Sequence, residues 1–222
     1  MKTNAEISDY YDKKLPYFLS DIENTNTRHS TIKTSISGIV KRGNKVLELG
    51  CGVGIFSKFM AQLGAHVTAV DLSPKLIEYA ALNMNHENIR YESQDATEIA
   101  FTEDFDVIVL ADIFEHIPRD KICKLMHRIH NHSHDNTVAY LNIPDGRFQE
   151  YMINTSPEIL QIVDEIHHLP DVLAQFNEIG FAPAKISIYG IDCPCQYNEI
   201  ILITEQLMNA FHCRLKKRIK KE

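Results

Sequence analysis

The chain has no tryptophan, and only nine glycines and eight prolines among its 222 residues. It also lacks any internal repeat, low-complexity tract or Gly/Ser-rich linker. Collagen-like chains, coiled coils, repeat arrays and wholly disordered chains are excluded, because 44% apolar residues suffice to build one core. Long hydrophobic runs are missing too: Val107–Ala111 is typical of the longest, far short of the roughly 18–20 residues that span a bilayer. Met1–Asp12 carries acids and no apolar stretch of the signal-peptide kind. A cytoplasmic protein with no membrane partner is the expectation.

Cysteine is scarce and odd in number. Cys51, Cys123, Cys193, Cys195 and Cys213 are scattered, which argues against a disulfide framework and for reduced thiols. Cys193-Pro194-Cys195 lacks the two-residue spacing of a zinc knuckle or redox pair. Positive charge is scarce except at one end. Arg214, Lys216, Lys217, Arg218, Lys220 and Lys221 leave only 17 basic against 29 acidic residues before them, a net −12 within a total of −7. An acidic body does not suit a phosphate backbone, whose binding rests on Lys and Arg replacing counterions, so no nucleic-acid partner is expected.

The present features divide the chain as a helical cap over residues 1–43, a core over 44–204 and a basic C-terminal helix or tail over 205–222. Tyr10, Tyr11, Leu15, Tyr17, Phe18 and Leu19 give an amphipathic aromatic opening, and Asn24–Thr27 can cap a second helix ending near Gly43. Strand-like runs then appear at Lys45–Leu49, His66–Leu72, Ile89–Glu92, Phe105–Ala111 and Thr137–Ile143, separated by helical spacing such as Ile55–Leu63, Pro74–Asn83 and Lys121–His130. Alternating strands and helices predict a parallel sheet covered on both faces. A helix over Pro170–Ile179 stops at Gly180, and Lys185–Ile191 and Glu199–Thr204 follow with no room for a crossover helix, so this pair should be antiparallel. The expected fold is a three-layer α/β seven-stranded sheet, mostly parallel, with a terminal antiparallel hairpin.

The most informative stretch is Val46-Leu47-Glu48-Leu49-Gly50-Cys51-Gly52-Val53-Gly54, a buried strand entering a glycine-rich turn and then a helix. Such a turn lets a ligand approach the backbone closely. A second strand ends in Asp71, 19 residues after Gly52, where a carboxylate can accept both hydroxyls of a ribose. Together they point to an adenosine-containing cofactor. The spacing G-x-G-x-G, with Glu48 just before it, disfavours a pyrophosphate and hence a nicotinamide dinucleotide; an acid there is compatible with the ammonium of a methionine moiety.

Glu48–Gly54, Val70-Asp71-Leu72-Ser73, Gln94-Asp95-Ala96 and Phe105-Asp106-Val107-Ile108 resemble, in order, the motif set of class I S-adenosylmethionine-dependent methyltransferases, whose Rossmann-like fold is the seven-stranded pattern above. Leu110–Pro118 looks most like the branch containing the ubiquinone-biosynthesis O-methyltransferases and related small-molecule enzymes. In place of that family's frequent Lys-Pro-Gly-Gly turn stands His132-Ser133-His134-Asp135-Asn136. The resemblance implies S-adenosyl-L-methionine as cofactor and S-adenosyl-L-homocysteine as product. Gly50, Cys51 and Gly52 would pass under the methionine part, and Glu48 would hold the turn or reach the amino group through water. Asp71 would grip the ribose, Leu72 would pack on adenine, and Asp95 with the amide of Ala96 would read the adenine edge. Ala111 would meet the methionine chain through its carbonyl, and Arg28 would reach the cofactor carboxylate.

For the transfer step, His116 is the candidate base or acceptor-orienting group, with helix capping as its alternative. His167 and Tyr11 are further candidates, His167 beside His168 in a loop and Tyr11 as part of an aromatic lid with Tyr10 and Tyr17. Asn142 and Asp145 stand where the fifth strand ends and can hydrogen-bond an acceptor or simply form a turn. Asp112-x-x-Glu115-His116 resembles a Glu-x-x-Glu-His arrangement that binds a divalent ion in some relatives, yet Asp replaces the first Glu and no metal is expected. His127, His130, His132 and His134 read as an exposed helix end. The reading is a methyltransferase acting on an O or N atom of a small molecule, as monomer or homodimer, with the loop from Ile143 to His168 and the helical cap forming the acceptor site. Alternatives are a peptide or protein methyltransferase and a catalytically silent S-adenosylmethionine-binding protein.

Overall fold

A computed structural model describes residues 2–23 and 26–210. The basic stretch 214–221 and Cys213 lie outside the described residues. The chain runs α1 (Asn4–Lys13), α2 (Leu15–Glu23), α3 (Thr27–Ile39), β1 (Lys45–Leu49), α4 (Ile55–Gln62), β2 (His66–Asp71), α5 (Pro74–Asn83), β3 (Ile89–Ser93), β4 (Phe105–Ala111), α6 (Ile122–Asn131), β5 (Ser133–Pro144), α7 (Gly146–Thr155), α8 (Leu169–Glu178), β6 (Phe181–Tyr189) and β7 (Tyr197–Thr204). One sheet has the order β3-β2-β1-β4-β5-β7-β6. Its first five strands are parallel, and β7 is antiparallel to both β5 and β6. The expected α/β sheet with a reversed terminal strand is what forms.

Alternation along the strands explains the two cores. In β4, Ile108 and Leu110 join Leu47, Leu49 and Leu141 against Leu125 and Ile129 of α6 and Phe176 of α8. Val107 and Val109 face the other way, with Val46, Val67 and Tyr140, against Ile32 and Ile36 of α3 and Met60 of α4. A two-residue strand period places successive side chains on opposite faces, so strands covered on both faces are apolar throughout. Each large side chain fully buried in this way stabilises the fold by roughly 1.5–3 kcal/mol.

Several boundaries differ from the sequence reading. The aromatic opening is two helices rather than one, and they part at Lys14, just before Pro16. A proline in a helix interior removes a hydrogen bond and clashes with the carbonyl four residues back, whereas in a first turn it costs nothing. Helix α3 ends at Ile39, short of Gly43, because Val40 turns to an extended conformation and is buried. Strand β5 begins at Ser133, inside the segment that departs from the family turn: Ser133 pairs with Phe105 and the register shifts before Val107. Strand β6 begins at Phe181 rather than Lys185, with a register shift between Pro183 and Lys185; a proline that cannot donate is tolerated at such an irregularity on an edge strand. The segment 143–168 contains a helix, α7, started by Asp145, whose side chain accepts from the Arg147 amide.

Candidate active site

The carboxyl ends of β1, β2 and β4 open into a cavity of about 280 Å³, roofed by α1. The glycine turn forms its floor. Gly50 and Cys51 both donate to the Val70 carbonyl, at 2.8 and 2.9 Å, which ties the turn to β2. Gly50 has φ +72°, and a Cβ there would stand 2.5 Å from the Ile113 side chain, so only glycine fits. At Gly52 a Cβ would meet nothing within 4 Å, which leaves the cavity open directly above the turn.

Asp71 sits at the rim of β2. One of its oxygens accepts from the Gly52 amide at 2.8 Å and the other from the Ser73 amide at 2.9 Å. Burial pushes its carboxyl up from the usual range, against these amide donors. Glu48 points elsewhere. It is 1% exposed and accepts from the buried Ser57 hydroxyl under the turn, and burial, moderated by Ser57 and reinforced by Asp71, raises it to about 8. It does not line the cavity. Of the two roles expected of it, holding the turn and reaching the amino group through water, this placement fits the first.

Arg28, Gly50, Cys51, Gly52, Asp71, Leu72, Asp95, Ala96 and Ala111 all line the cavity. Asp95 is heavily engaged: Thr97 donates to one oxygen through amide and hydroxyl, both at 2.8 Å, while Asn4 of α1 at 2.7 Å and Lys121 at 3.1 Å donate to the other. Burial opposes the charge, yet these donors win and hold the carboxyl below its ordinary value. Arg28 pairs with Asp112 at 3.3 Å and lies over the Tyr197 ring.

Helix α1 is fastened by one face. Asn4, Ser8 and Asp12 recur every four residues, so they share a side of the helix. Asn4 reaches Asp95, Ser8 donates to the Leu72 carbonyl at 3.3 Å, and Asp12 accepts from the Ser73 hydroxyl at 2.5 Å. Ile7 and Tyr11 face the cavity, as do Tyr17 and Phe18 from α2; Tyr10 does not. Of the three tyrosines expected in an aromatic lid, Tyr11 and Tyr17 line the cavity and Tyr10 does not.

Past β4, Asp112 takes φ +57°, a conformation that aspartate tolerates better than most residues, and the chain makes a 3₁₀ turn over Phe114–His116. Glu115 and His116 both line the cavity. His116 Nδ1 lies 2.8 Å from the Val163 carbonyl and 3.2 Å from Asp164, and the Gln161 side-chain amide is 3.0 Å from Nε2. Burial disfavours charge on the ring, but Glu115, Asp164 and the Val163 carbonyl outweigh it and raise the imidazole to about 9. Glu115 is buried, with one oxygen 3.8 Å from His116 Nε2. Burial raises it to about 7, with His116 lowering and Asp112 raising the value. The Asp112 carboxylate is held by Asn142 and Arg28 rather than turned toward Glu115 and His116, and among the described residues no group of three or more His, Cys, Asp or Glu is placed to hold a metal.

Several expectations need correction. His167 does not reach the cavity; it packs on Phe114 at 4.8 Å, and burial with Arg119 nearby lowers it to about 4, a neutral core histidine. His168 pairs with Glu150 at 3.4 Å outside the cavity. Asn142 is buried, donating to Asp112 and accepting from the Tyr189 hydroxyl at 2.8 Å, and Asp145 is a helix cap bonded to Arg147 and Asn198. Neither lines the cavity. His132 is buried between Phe101 and Phe105 rather than exposed. Sequence reasoning missed Asn4, Lys121, Gln161 and Asp164, since nothing in their local spacing announces that they converge.

The sheet order, with its reversed β7 and its cavity beyond the carboxyl ends of the parallel strands, defines the class I S-adenosylmethionine-dependent methyltransferase fold. Residues 46–136 match the family model described as "Methyltransferase domain". Among curated proteins it is similar to a mitochondrial ubiquinone biosynthesis O-methyltransferase of Schizosaccharomyces pombe, 41% identical over an alignment of 97 residues that covers 39% of this chain and 34% of the relative. The same-named protein of Xanthomonas oryzae is 39% identical over 80 residues, 34% of each chain. The matched stretch thus spans about a third of these relatives. Among solved structures, the N-methyltransferase NodS of Bradyrhizobium japonicum in complex with S-adenosyl-L-homocysteine superposes with TM-score 0.70 at 14% identity, over 88% of this chain and 99% of that one. Magnesium protoporphyrin IX methyltransferase of Synechocystis gives 0.70 at 15%, over 90% and 99%. At such identities the structural likeness concerns the fold.

Proposed function

We propose that the chain is a methyltransferase that moves the methyl group of S-adenosyl-L-methionine to an O or N atom of a small-molecule metabolite. The observation that carries this reading is a single cavity whose lining brings together the glycine turn, the Asp71 carboxylate, Tyr11, Glu115 and His116. The open space over Gly52 and the ligand-facing Asp71 fit the cofactor. In this reading Asp71 accepts from the ribose hydroxyls, Leu72 packs on adenine, Asp95 and the Ala96 amide read its edge, and Gly50, Cys51, Gly52 and the Ala111 carbonyl flank the methionine chain. Arg28 takes the carboxylate, exchanging its contact with Asp112 for a bidentate one.

The bound sulfonium supplies an activated methyl group. The chain's own work is to align an acceptor in line with it, within about 3–3.5 Å, and to keep water out. Helix α1 serves the second task, because its polar face is hydrogen-bonded along the cavity wall. The similar proteins include an O-methyltransferase and an N-methyltransferase, which supports either acceptor atom. No helix among the described residues is long and apolar enough to cross a membrane, and the acidic body favours a small acceptor over nucleic acid.

The test is transfer of a labelled methyl group from S-adenosyl-L-methionine into fractionated metabolite pools and, separately, into peptide libraries. Label in the metabolite pool alone is the expected result. Label in peptides alone would replace the acceptor class, and cofactor binding with no labelled product in any pool would mean a silent binding protein.

A further inference from the structure

Two buried polar atoms near the reacting end of the cavity have no partner: Oε2 of Glu115 and the hydroxyl of Tyr11. Both residues line the cavity, Glu115 is only 3% exposed, and they arrive from opposite sides, Glu115 from the turn after β4 and Tyr11 from the α1 roof. A buried oxygen without a hydrogen-bond partner keeps the full cost of its lost hydration, and native structures seldom leave one without a reason. Here a cavity-filling ligand is the reason that fits. The turn that carries Glu115 is set by Asp112 in the left-handed region, a backbone device found at functional sites.

Resting on the methyltransferase reading above, we propose that Glu115 is the catalytic base, accepting through Oε2 the proton of a neutral O–H or N–H acceptor, while the Tyr11 hydroxyl hydrogen-bonds the same acceptor and orients it. His116 then has another part. Its Nδ1 is committed to Val163 and Asp164, its Nε2 lies 3.8 Å from Glu115 Oε1, and Glu115, Asp164 and the Val163 carbonyl favour its protonated form. An imidazolium has no lone pair with which to take a proton, so His116 is a positioning residue, a fixed cation balancing Glu115. The titratable groups whose charge acts on or responds to Glu115 are His116 and Asp112 from its own segment, Asp164 from the stretch before α8, Tyr11 from α1 and Tyr197 from β7.

The step balances. The acceptor's lone pair forms the new bond to the methyl carbon, the carbon–sulfur bond breaks with its electron pair going to sulfur, and the acceptor's proton ends on Glu115 Oε2. Glu115 returns that proton to solvent when product leaves. A carboxylate acceptor is disfavoured, because it has no proton to give and would lie against a buried acid. The site therefore selects acceptors that are protonated before reaction.

The experiment uses the full chain. The protein saturated with S-adenosyl-L-homocysteine is titrated with 4-nitrophenol, a protic reporter whose phenolate absorbs visible light, and turnover is followed with acceptors found in the labelling screen. In wild type, binding should raise the phenolate fraction of the reporter. Glu115→Gln should bind S-adenosyl-L-homocysteine within twofold of wild type, lose the phenolate signal, and lose about 100-fold or more in kcat together with the acid limb of the pH profile. Tyr11→Phe should raise the acceptor KM several-fold more than it lowers kcat. Wild-type turnover and pH profile in Glu115→Gln, no phenolate signal in wild type, or activity abolished by chelators and restored by Mg²⁺ would each overturn the assignment. Failure of wild type to bind S-adenosyl-L-homocysteine would instead overturn the cofactor reading.

Discussion

The two walls of the cavity are built from different kinds of sequence. On the wall proposed for the cofactor, Gly50–Gly52, Asp71–Leu72 and Asp95–Ala96 lie at or just past the ends of parallel strands, β1, β2 and β3 in turn, so strand register alone brings them together. On the wall proposed for the acceptor, Tyr11 comes from α1, Glu115 and His116 from a 3₁₀ turn, and Gln161 and Asp164 from a segment nearly fifty residues further on. The first wall is a property of the sheet, and its residues announce themselves through local motifs. The second is assembled by tertiary packing, and it is where one methyltransferase can differ from another.

Breaking the first wall should produce the largest effects. Gly50→Ala forces a Cβ into Ile113 at a φ of +72°, and about 3 kcal/mol of stability should be lost from overpacking and backbone strain, measured by urea denaturation. Asp71→Ala should weaken S-adenosyl-L-homocysteine binding by about 1.5–3 kcal/mol, measured by calorimetry, with the fold intact; a wild-type dissociation constant would refute the ribose assignment. Damage to the fastening of the roof should be smaller. Asn4→Ala or Asp12→Ala removes one link of α1, and each should cost about 1 kcal/mol and speed amide exchange in α1 more than in β1.

The subtlest contrast is a pH effect beneath the glycine turn. Glu48 is raised from 4.5 to about 8, so between those values the native state keeps a proton that the unfolded chain has released. Its contribution to stability is therefore present at low pH and lost as pH rises through that window. Glu48→Gln should flatten the fall of Tm between pH 5 and 8, although Glu115, raised in the same direction, leaves some slope. An unchanged Tm profile would show that Glu48 is ionised in the native protein.

The legibility of the sequence follows the same division. Apolar runs such as Val107–Ala111 and the glycine turn specify the sheet and the cofactor wall directly, because strands buried on both faces have few alternatives. Which of its two expected roles Glu48 takes is legible only in three dimensions, since the strand period faces it into the sheet's α3–α4 side and the fold puts Ser57 beside it. His167 was overvalued because a histidine in a loop looks polar, whereas tertiary packing places it on Phe114. Asp164 and Gln161 were invisible because their partner, His116, is more than forty residues away. Helix α7 was hidden in what looked like a loop, although Asp145 had the residue type of a cap.

The glycine turn and Asp71 are proposed to form an S-adenosylmethionine site. Calorimetric titration of the wild-type chain with S-adenosyl-L-homocysteine, and in parallel with NADH, tests it most directly. One-to-one saturable binding of S-adenosyl-L-homocysteine, weakened by Asp71→Ala, and no heat from NADH is the predicted result. Binding of NADH without binding of S-adenosyl-L-homocysteine would contradict it.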